Sequence, residues 1–151
     1  MSKKAETLKG TPYYYSLIDC LKEHQQKGIK IEKIIDINYS NSYYNFNYLK
    51  KHYKEELFGV EYLKIPFTPK EIPSRKEVNR VYDILNKNIS KKQYILIHCT
   101  HGVNRTGYVL IYFLCKRYEY SVEKAIEIFE KSRGHKFENK AFITDLKQKL
   151  K

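Results

Sequence analysis

The stretch that most limits what this chain can fold into is Tyr94-Ile95-Leu96-Ile97-His98-Cys99-Thr100-His101-Gly102-Val103-Asn104-Arg105-Thr106-Gly107. It opens with four apolar residues in a row, too short for a helix and rich in β-branched types, which predicts a buried strand. It closes on Thr106-Gly107, which runs into Tyr108 to Cys115, a segment of helical length and apolar composition. Five residues, one of them glycine, separate Cys99 from Arg105. The expectation is strand, tight loop, helix, with a cysteine leaving the strand and an arginine entering the helix.

Such a loop has chemistry built into it. Backbone N–H groups of a turn feeding a helix point inward and lack intrahelical partners, so they bind anions, helped by the helix dipole. The same field favours a thiolate over a thiol. A thiolate on the floor of an anion cradle is placed to attack the phosphorus of a bound phosphoryl group. Arg105 supplies a planar fork for two phosphoryl oxygens, which Lys could not match bidentately. Thr106 is positioned to hydrogen-bond the sulfur and ease its departure in a second step. The residues therefore predict a covalent phosphatase that uses neither metal nor cofactor.

His98 before the cysteine, Gly102 within the loop and Thr106-Gly107 after the arginine complete the motif His-Cys-x5-Arg-Ser/Thr-Gly. It resembles the signature of the cysteine-dependent protein tyrosine and dual-specificity phosphatases. Thr100-His101-Gly102 with Asn104 is similar to the RNA 5′-triphosphatase branch, the metazoan-type mRNA capping enzyme phosphatase domain and the related baculovirus RNA phosphatase. The likeness extends to Ile35-Asp36-Ile37 followed by Tyr43-Tyr44, and to Ser132-Arg133-Gly134-His135-Lys136. It covers roughly residues 33–148.

The resemblance implies an α/β fold: a single dual-specificity-phosphatase-like domain, with a central, mostly parallel twisted sheet flanked by helices. It implies Cys99 as nucleophile and Arg105 as the phosphoryl-binding residue. His98, Thr100, His101, Gly102, Val103, Asn104, Thr106 and Gly107 complete the phosphate-binding loop. His98 would hold the loop through its ring hydrogen bonds, Asn104 would brace the backbone, and His101 would either contact substrate or cap the loop. Arg133, Lys136 and Lys140 would hold the outer phosphates. The family commonly has Arg and Gln where this chain has Asn139 and Lys140, which removes one phosphate contact that Lys140 can replace in charge.

The segment Pro66 to Pro73 contains no Asp. In protein phosphatases of this superfamily an Asp on such a loop protonates the leaving alkoxide or phenoxide. Here Glu71 is the nearest carboxylate and the alternative acid, and Asp83 falls within a helix. A terminal phosphate leaving from a phosphoanhydride is already a stable anion near neutral pH, so a missing acid costs little there and much for phosphoserine. The lack of Asp points to a triphosphate substrate.

Lys and Arg number 29 against 17 Asp and Glu, a formal net charge of +12. That charge fits a polyanionic partner, although a Lys-, Ile-, Asn- and Tyr-rich chain can also reflect genome base composition. The partner expected is RNA bearing a 5′-triphosphate or diphosphate end, met by a monomer. The alternatives are a dual-specificity protein phosphatase and, from another class, a non-catalytic RNA-binding module. Cys20, Cys99 and Cys115 have neither zinc-ligand nor disulfide spacing, which implies a reducing compartment. Cys115 reads as a small core residue, with a redox-resolving role as the alternative. No apolar run is long enough for a signal peptide or a membrane span, so an intracellular protein is expected, nuclear or cytoplasmic and not secreted.

Residues 1–10 read as a basic arm and residues 11–151 as one domain. Helical spacing runs from about Tyr13 to Gln26, with Gly28 as its stop. Ile34 to Ile37 predicts a short strand, and Asn38 to Asn47 a polar loop whose Tyr43 and Tyr44 either stack on a base or simply pack. A short helix is expected over residues 48–57 and a strand from Val60 to Ile65. Ser74 with Glu77 predicts a capping box. The helix it starts leads through Ser90-Lys91-Lys92 into the central strand. Further helices are expected from Arg105 to about Arg117, from Ser121 to Gly134, and around Phe142, Ile143, Leu146 and Leu150.

Overall fold

A computed structural model describes residues 17–39, 45–68, 71–99 and 104–151. The basic arm, the start of the first helix near Tyr13, Tyr43, Tyr44 and the loop residues Thr100, His101, Gly102 and Val103 lie outside the described residues. Within them the chain forms α1 (Leu17–Gln26), β1 (Ile31–Asp36), α2 (Phe46–His52), β2 (Glu61–Lys64), α3 (Arg75–Ser90), β3 (Tyr94–His98), α4 (Asn104–Tyr118), α5 (Val122–Arg133) and α6 (Lys140–Lys149). This is an α/β domain, as the sequence predicts.

All described strand pairs are parallel, in the order β2-β1-β3. Ile35 of β1 stands between Leu63 and Ile97, and Asp36 between Lys64 and His98. The strand expected to be central, β3, therefore pairs with β1 alone among the described residues, and β1 takes the middle. The reason is visible in its side chains, since Ile34, Ile35 and Ile37 are all fully buried.

Alternation along the strands sorts the core into two layers. Ile31 and Ile34 of β1, with Leu96 of β3, face α1 and α2, where Ile18, Leu21, Leu49 and Leu57 meet them. Ile35 and Ile37, with Ile95 and Ile97, face α3 and α4. Helix α3 packs on one side of α4, with Tyr82 against Tyr112 and Phe113, and α5 and α6 pack on the other, so that Tyr108, Val109, Ile111, Tyr112, Phe113 and Cys115 are all buried. That cover explains why α4 is apolar almost all round. Each such side chain contributes about 1.5–3 kcal/mol by leaving water.

Local chemistry starts and stops the helices. Gly28 follows α1 at φ 78°, a backbone region that only glycine enters without steric cost. Ser74 and Glu77 form the expected capping box on α3, with the Ser74 Oγ accepting from Glu77 N–H at 3.2 Å and Glu77 Oε1 from Ser74 N–H at 3.0 Å. Ser121 caps α5, and Gly134 closes it at φ 72°.

Two elements have a boundary more than one residue away from the sequence reading. The strand expected at Ile34 begins at Ile31, because the parallel pairing with β3 extends back past a bulge between Ile31 and Lys33. The helix expected over residues 48–57 is Phe46–His52, followed by turns. Asn45 starts it early, its Oδ1 accepting from Tyr48 N–H at 3.1 Å, so a polar residue in the supposed loop is a helix cap.

Candidate active site

The carboxyl ends of a parallel sheet are where an open α/β fold leaves a crevice, because the chain must leave the strands there and climb into helices. Cys99 follows β3 at that end and is 8% exposed. Asn104 begins α4, and Arg105 and Thr106 fill its first turn. Thr106 is buried, and its Oγ1 donates to Cys99 Sγ at 3.0 Å. The hydroxyl therefore approaches the sulfur from the helix side, as the motif's spacing predicts. Arg105 is half-buried, with its Nη1 withdrawn from solvent, while Asn104 is exposed. A sulfur at the mouth of a helix N-terminus, with a hydroxyl on it and a guanidinium beside that hydroxyl in sequence, can attack an electrophilic phosphorus and then serve as leaving group.

Gly107 has a different part. A Cβ there would lie 2.8 Å from Phe137 Cδ2 and 3.1 Å from Phe129 Cζ. This glycine lets two aromatic rings close on α4 one residue after Thr106.

Behind the cysteine lies a polar network that sequence reasoning missed. Asp36, at the end of β1, is buried. Its Oδ2 accepts from Tyr62 Oη at 2.6 Å and pairs with Lys64 Nζ at 3.2 Å, both on β2. Its Oδ1 accepts from Asn38 N–H at 3.0 Å. Asn38 Nδ2 lies 3.4 Å from His98 Nδ1. The amide and the imidazole are thus hydrogen-bond partners. Burial pushes the His98 pKa below its ordinary value; Asp36 pulls it back up, and Lys64 adds to the lowering. The residue before the cysteine is thus a neutral imidazole held from three strands. A charged residue amid apolar ones at a strand's carboxyl end was the available signal, but Tyr62 and Lys64 are too distant in sequence to be linked to it by pattern.

The outer candidates are spread more widely. Arg133 is the last residue of α5 and is exposed, and Lys136 pairs loosely with Glu130 at 3.9 Å. Lys140 is exposed at the first position of α6. Asn139, standing where the resemblance leads one to expect arginine, caps that helix, its Oδ1 accepting from Phe142 N–H at 3.1 Å. Glu71 is exposed ahead of Pro73, and Asp83 is exposed on α3. Among the described residues no three His, Cys, Asp or Glu side chains are grouped to hold a metal, and no helix is long and apolar enough to cross a membrane.

Residues 13–151 match the family model for the dual specificity phosphatase catalytic domain. The chain belongs to that family. This phosphatase is 31% identical over 137 residues to the RNA/RNP complex-1-interacting phosphatase of Bos taurus, an alignment covering 88% of this chain and 39% of the bovine protein. The chain thus spans about two fifths of that relative's length. It is 33% identical over 119 residues to a tyrosine-protein phosphatase of Autographa californica nuclear polyhedrosis virus, covering 77% of this chain and 67% of the viral one. Among solved structures, the active form of Tk-PTP shares the fold at a TM-score of 0.70 and 18% identity, over 90% of this chain and 86% of that one. The phosphatase is accordingly a cysteine-dependent hydrolase with a dual-specificity-phosphatase fold.

Proposed function

We propose that this phosphatase is a metal-independent RNA 5′-triphosphatase. The observation that carries its chemistry is the 3.0 Å hydrogen bond from Thr106 Oγ1 to Cys99 Sγ at the entrance of α4. In this reading the Cys99 thiolate attacks the γ-phosphorus, and the bond from that phosphorus to the β–γ bridging oxygen breaks. RNA leaves with a 5′-diphosphate, taking the bonding electrons on that oxygen and needing no proton. Arg105 and the backbone amides from Thr100 to Arg105 hold the phosphoryl oxygens as charge shifts across them. Water then attacks the cysteinyl-phosphate, phosphate departs, and the Thr106 hydroxyl steadies the sulfur that regains its charge.

The remaining candidates take supporting parts. His98, neutral and fixed by Asn38, shapes the strand end that presents the sulfur. Asn104 braces the loop, while His101, Gly102 and Val103 complete it. Arg133, Lys136 and Lys140 supply positive charge for the β- and α-phosphates. RNA as the substrate is supported by the absence of Asp from the segment between β2 and α3, by the net charge of +12, and by a relative named for interaction with an RNA/RNP complex. Glu71 is not needed as an acid for an anhydride leaving group. An RNA partner would place the protein inside the cell, in nucleus or cytoplasm, where the cysteines stay reduced.

The test is release of phosphate from γ-labelled triphosphate RNA in EDTA by the wild type and by Cys99→Ser. The expected result is metal-independent release, abolished in the variant. The same assay with 5′-diphosphate RNA shows whether the β-phosphate is also removed. A wild type that hydrolyses an aryl phosphate but releases nothing from RNA overturns the triphosphatase reading. A dual-specificity protein phosphatase, which the viral relative's name favours, then takes its place. Inactivity on every phosphate ester would leave the non-catalytic RNA-binding module.

A further inference from the structure

Away from Cys99, the exposed face of α2 and the turns after it carry an unusual pairing of charge and aromatic surface. Lys50, Lys51 and Lys54 are exposed, and none forms an ion pair with a described residue. They line a groove of about 600 Å³ whose floor includes Leu57 and Val60. Phe58 stands at its rim, 77% exposed, with Lys30 Nζ 6.0 Å from the ring centre. One turn back, the exposed Tyr48 ring lies 4.2 Å from that of His52. Two carboxylates are close by: Glu56 is paired with Lys22 at 3.8 Å, and Glu55 is exposed beside Phe58.

Leaving a large aromatic ring in water costs free energy, and like-charged lysines gathered around one groove repel. A single occupant relieves both when it is anionic along its length and carries flat apolar faces. Single-stranded RNA has that chemistry, with phosphates for the lysines and unstacked bases for Phe58 and Tyr48. The topology supplies a path. Phe46, at the start of α2, stacks on Tyr62, whose hydroxyl reaches Asp36, and the turns after α2 lead to the amino end of β2 at Phe58-Gly59-Val60. The groove lies at the amino end of β2 and the cysteine past the carboxyl end of β3, with β1 between them, so the two are about 20 Å apart at the usual rise and strand spacing.

We propose that the groove along α2 binds the single-stranded body of an RNA, with Lys50, Lys51 and Lys54 on its phosphates and Phe58 stacked on a base. That the same RNA presents its 5′ end at Cys99 rests on the triphosphatase reading; binding in the groove does not.

The experiment uses a short oligoribonucleotide with a 5′-hydroxyl, which offers the catalytic pocket no terminal phosphate. Its binding is followed by fluorescence anisotropy across a salt series. Lys50→Glu/Lys51→Glu/Lys54→Glu should weaken binding roughly tenfold and flatten the slope of log K against log salt by about 2, at ~0.7 for each phosphate contact on a single strand. Phe58→Ala should weaken it by about fivefold or more, the loss of one stacked base. Turnover of an aryl phosphate should stay at the wild-type level in both variants, which establishes that they are folded. The same charge reversal at the exposed residues Lys87, Lys91 and Lys131 is the control for net charge. Equal losses in control and groove variants overturn the proposal, as does a wild type that binds duplex RNA as well as the single strand. So does a groove that captures an acidic polypeptide such as polyglutamate but not RNA. Hydroxyl-RNA binding lost only in the groove variants supports it even where the γ-phosphate assay fails.

Discussion

Gly107 is in the signature for reasons of space. Replacing it with Ala would gain up to about 1 kcal/mol of helix propensity. Against that, the new methyl would meet Phe137 at 2.8 Å and Phe129 at 3.1 Å, both rings buried and packed on further aromatics. Overpacking of this kind costs about 1–3 kcal/mol, so Gly107→Ala should lower the urea midpoint despite the better helix former. His98 makes a pH prediction. Its pKa in the folded chain lies below the ordinary 6.5, chiefly through burial. As pH falls below that value the unfolded chain takes up a proton that the folded site refuses. Stability should therefore decline, then level off below the folded pKa. Melting temperatures between about pH 7.5 and pH 5 should show this slope, and His98→Asn should remove its share. At this scale Cys99, Arg105 and Thr106 were legible because one short segment holds them all. The network of Asp36, Tyr62, Lys64 and His98 was not, because three strands must pair before its atoms meet.

Elements were legible where their signals are local. Ser74 with Glu77, Ser121, Gly134 and the apolar run of α4 all act within a turn of themselves, and each is where the pattern puts it. The start of β1 and the start of α2 were misplaced for opposite reasons. Ile31 joins its strand through pairing with Tyr94, which no local pattern reveals. Asn45 is a local cap hidden in a run of other polar residues. The closing helix also depends on long-range contacts. Asp145 of α6 accepts hydrogen bonds from the buried Tyr108 hydroxyl and from Lys149, and Lys149 Nζ also donates to the Pro73 carbonyl at 2.9 Å. Burial works to raise the Asp145 pKa, but those hydrogen bonds and the charges of Lys149 and Arg75 hold it below its ordinary value. Asp145→Ala should cost about 1–3 kcal/mol by urea denaturation, since it strands a buried phenol and a mostly covered ammonium. For the wild type, the stability that this carboxylate contributes should be lost as pH falls through its depressed pKa.

Among the described residues the molecule is two hydrophobic layers sharing one small sheet, and β1 contributes to both. Ile34 lies in the layer under α1 and α2, while Ile35 and Ile37 lie in the layer under α3 and α4. Neither layer can loosen without exposing the other's strand, so unfolding should be a single transition. Ile34→Ala should cost about 2–5 kcal/mol and shift fluorescence and far-ultraviolet dichroism midpoints together. Separate midpoints would show that the α1–α2 layer melts independently.

The hydrogen-bonded knot around His98 also bears on how such a chain can change over generations. Its members come from β1, β2 and β3, and each satisfies a buried polar atom of another. A lone replacement of Asp36 takes away the carboxylate that Lys64 and Tyr62 share, and a lone replacement of Lys64 leaves that carboxylate short of charge. Descendants should therefore inherit positions 36, 62, 64 and 98 as a set or exchange them in company. The tyrosine and lysine of β2 would then drift no faster than the histidine at the other end of the network.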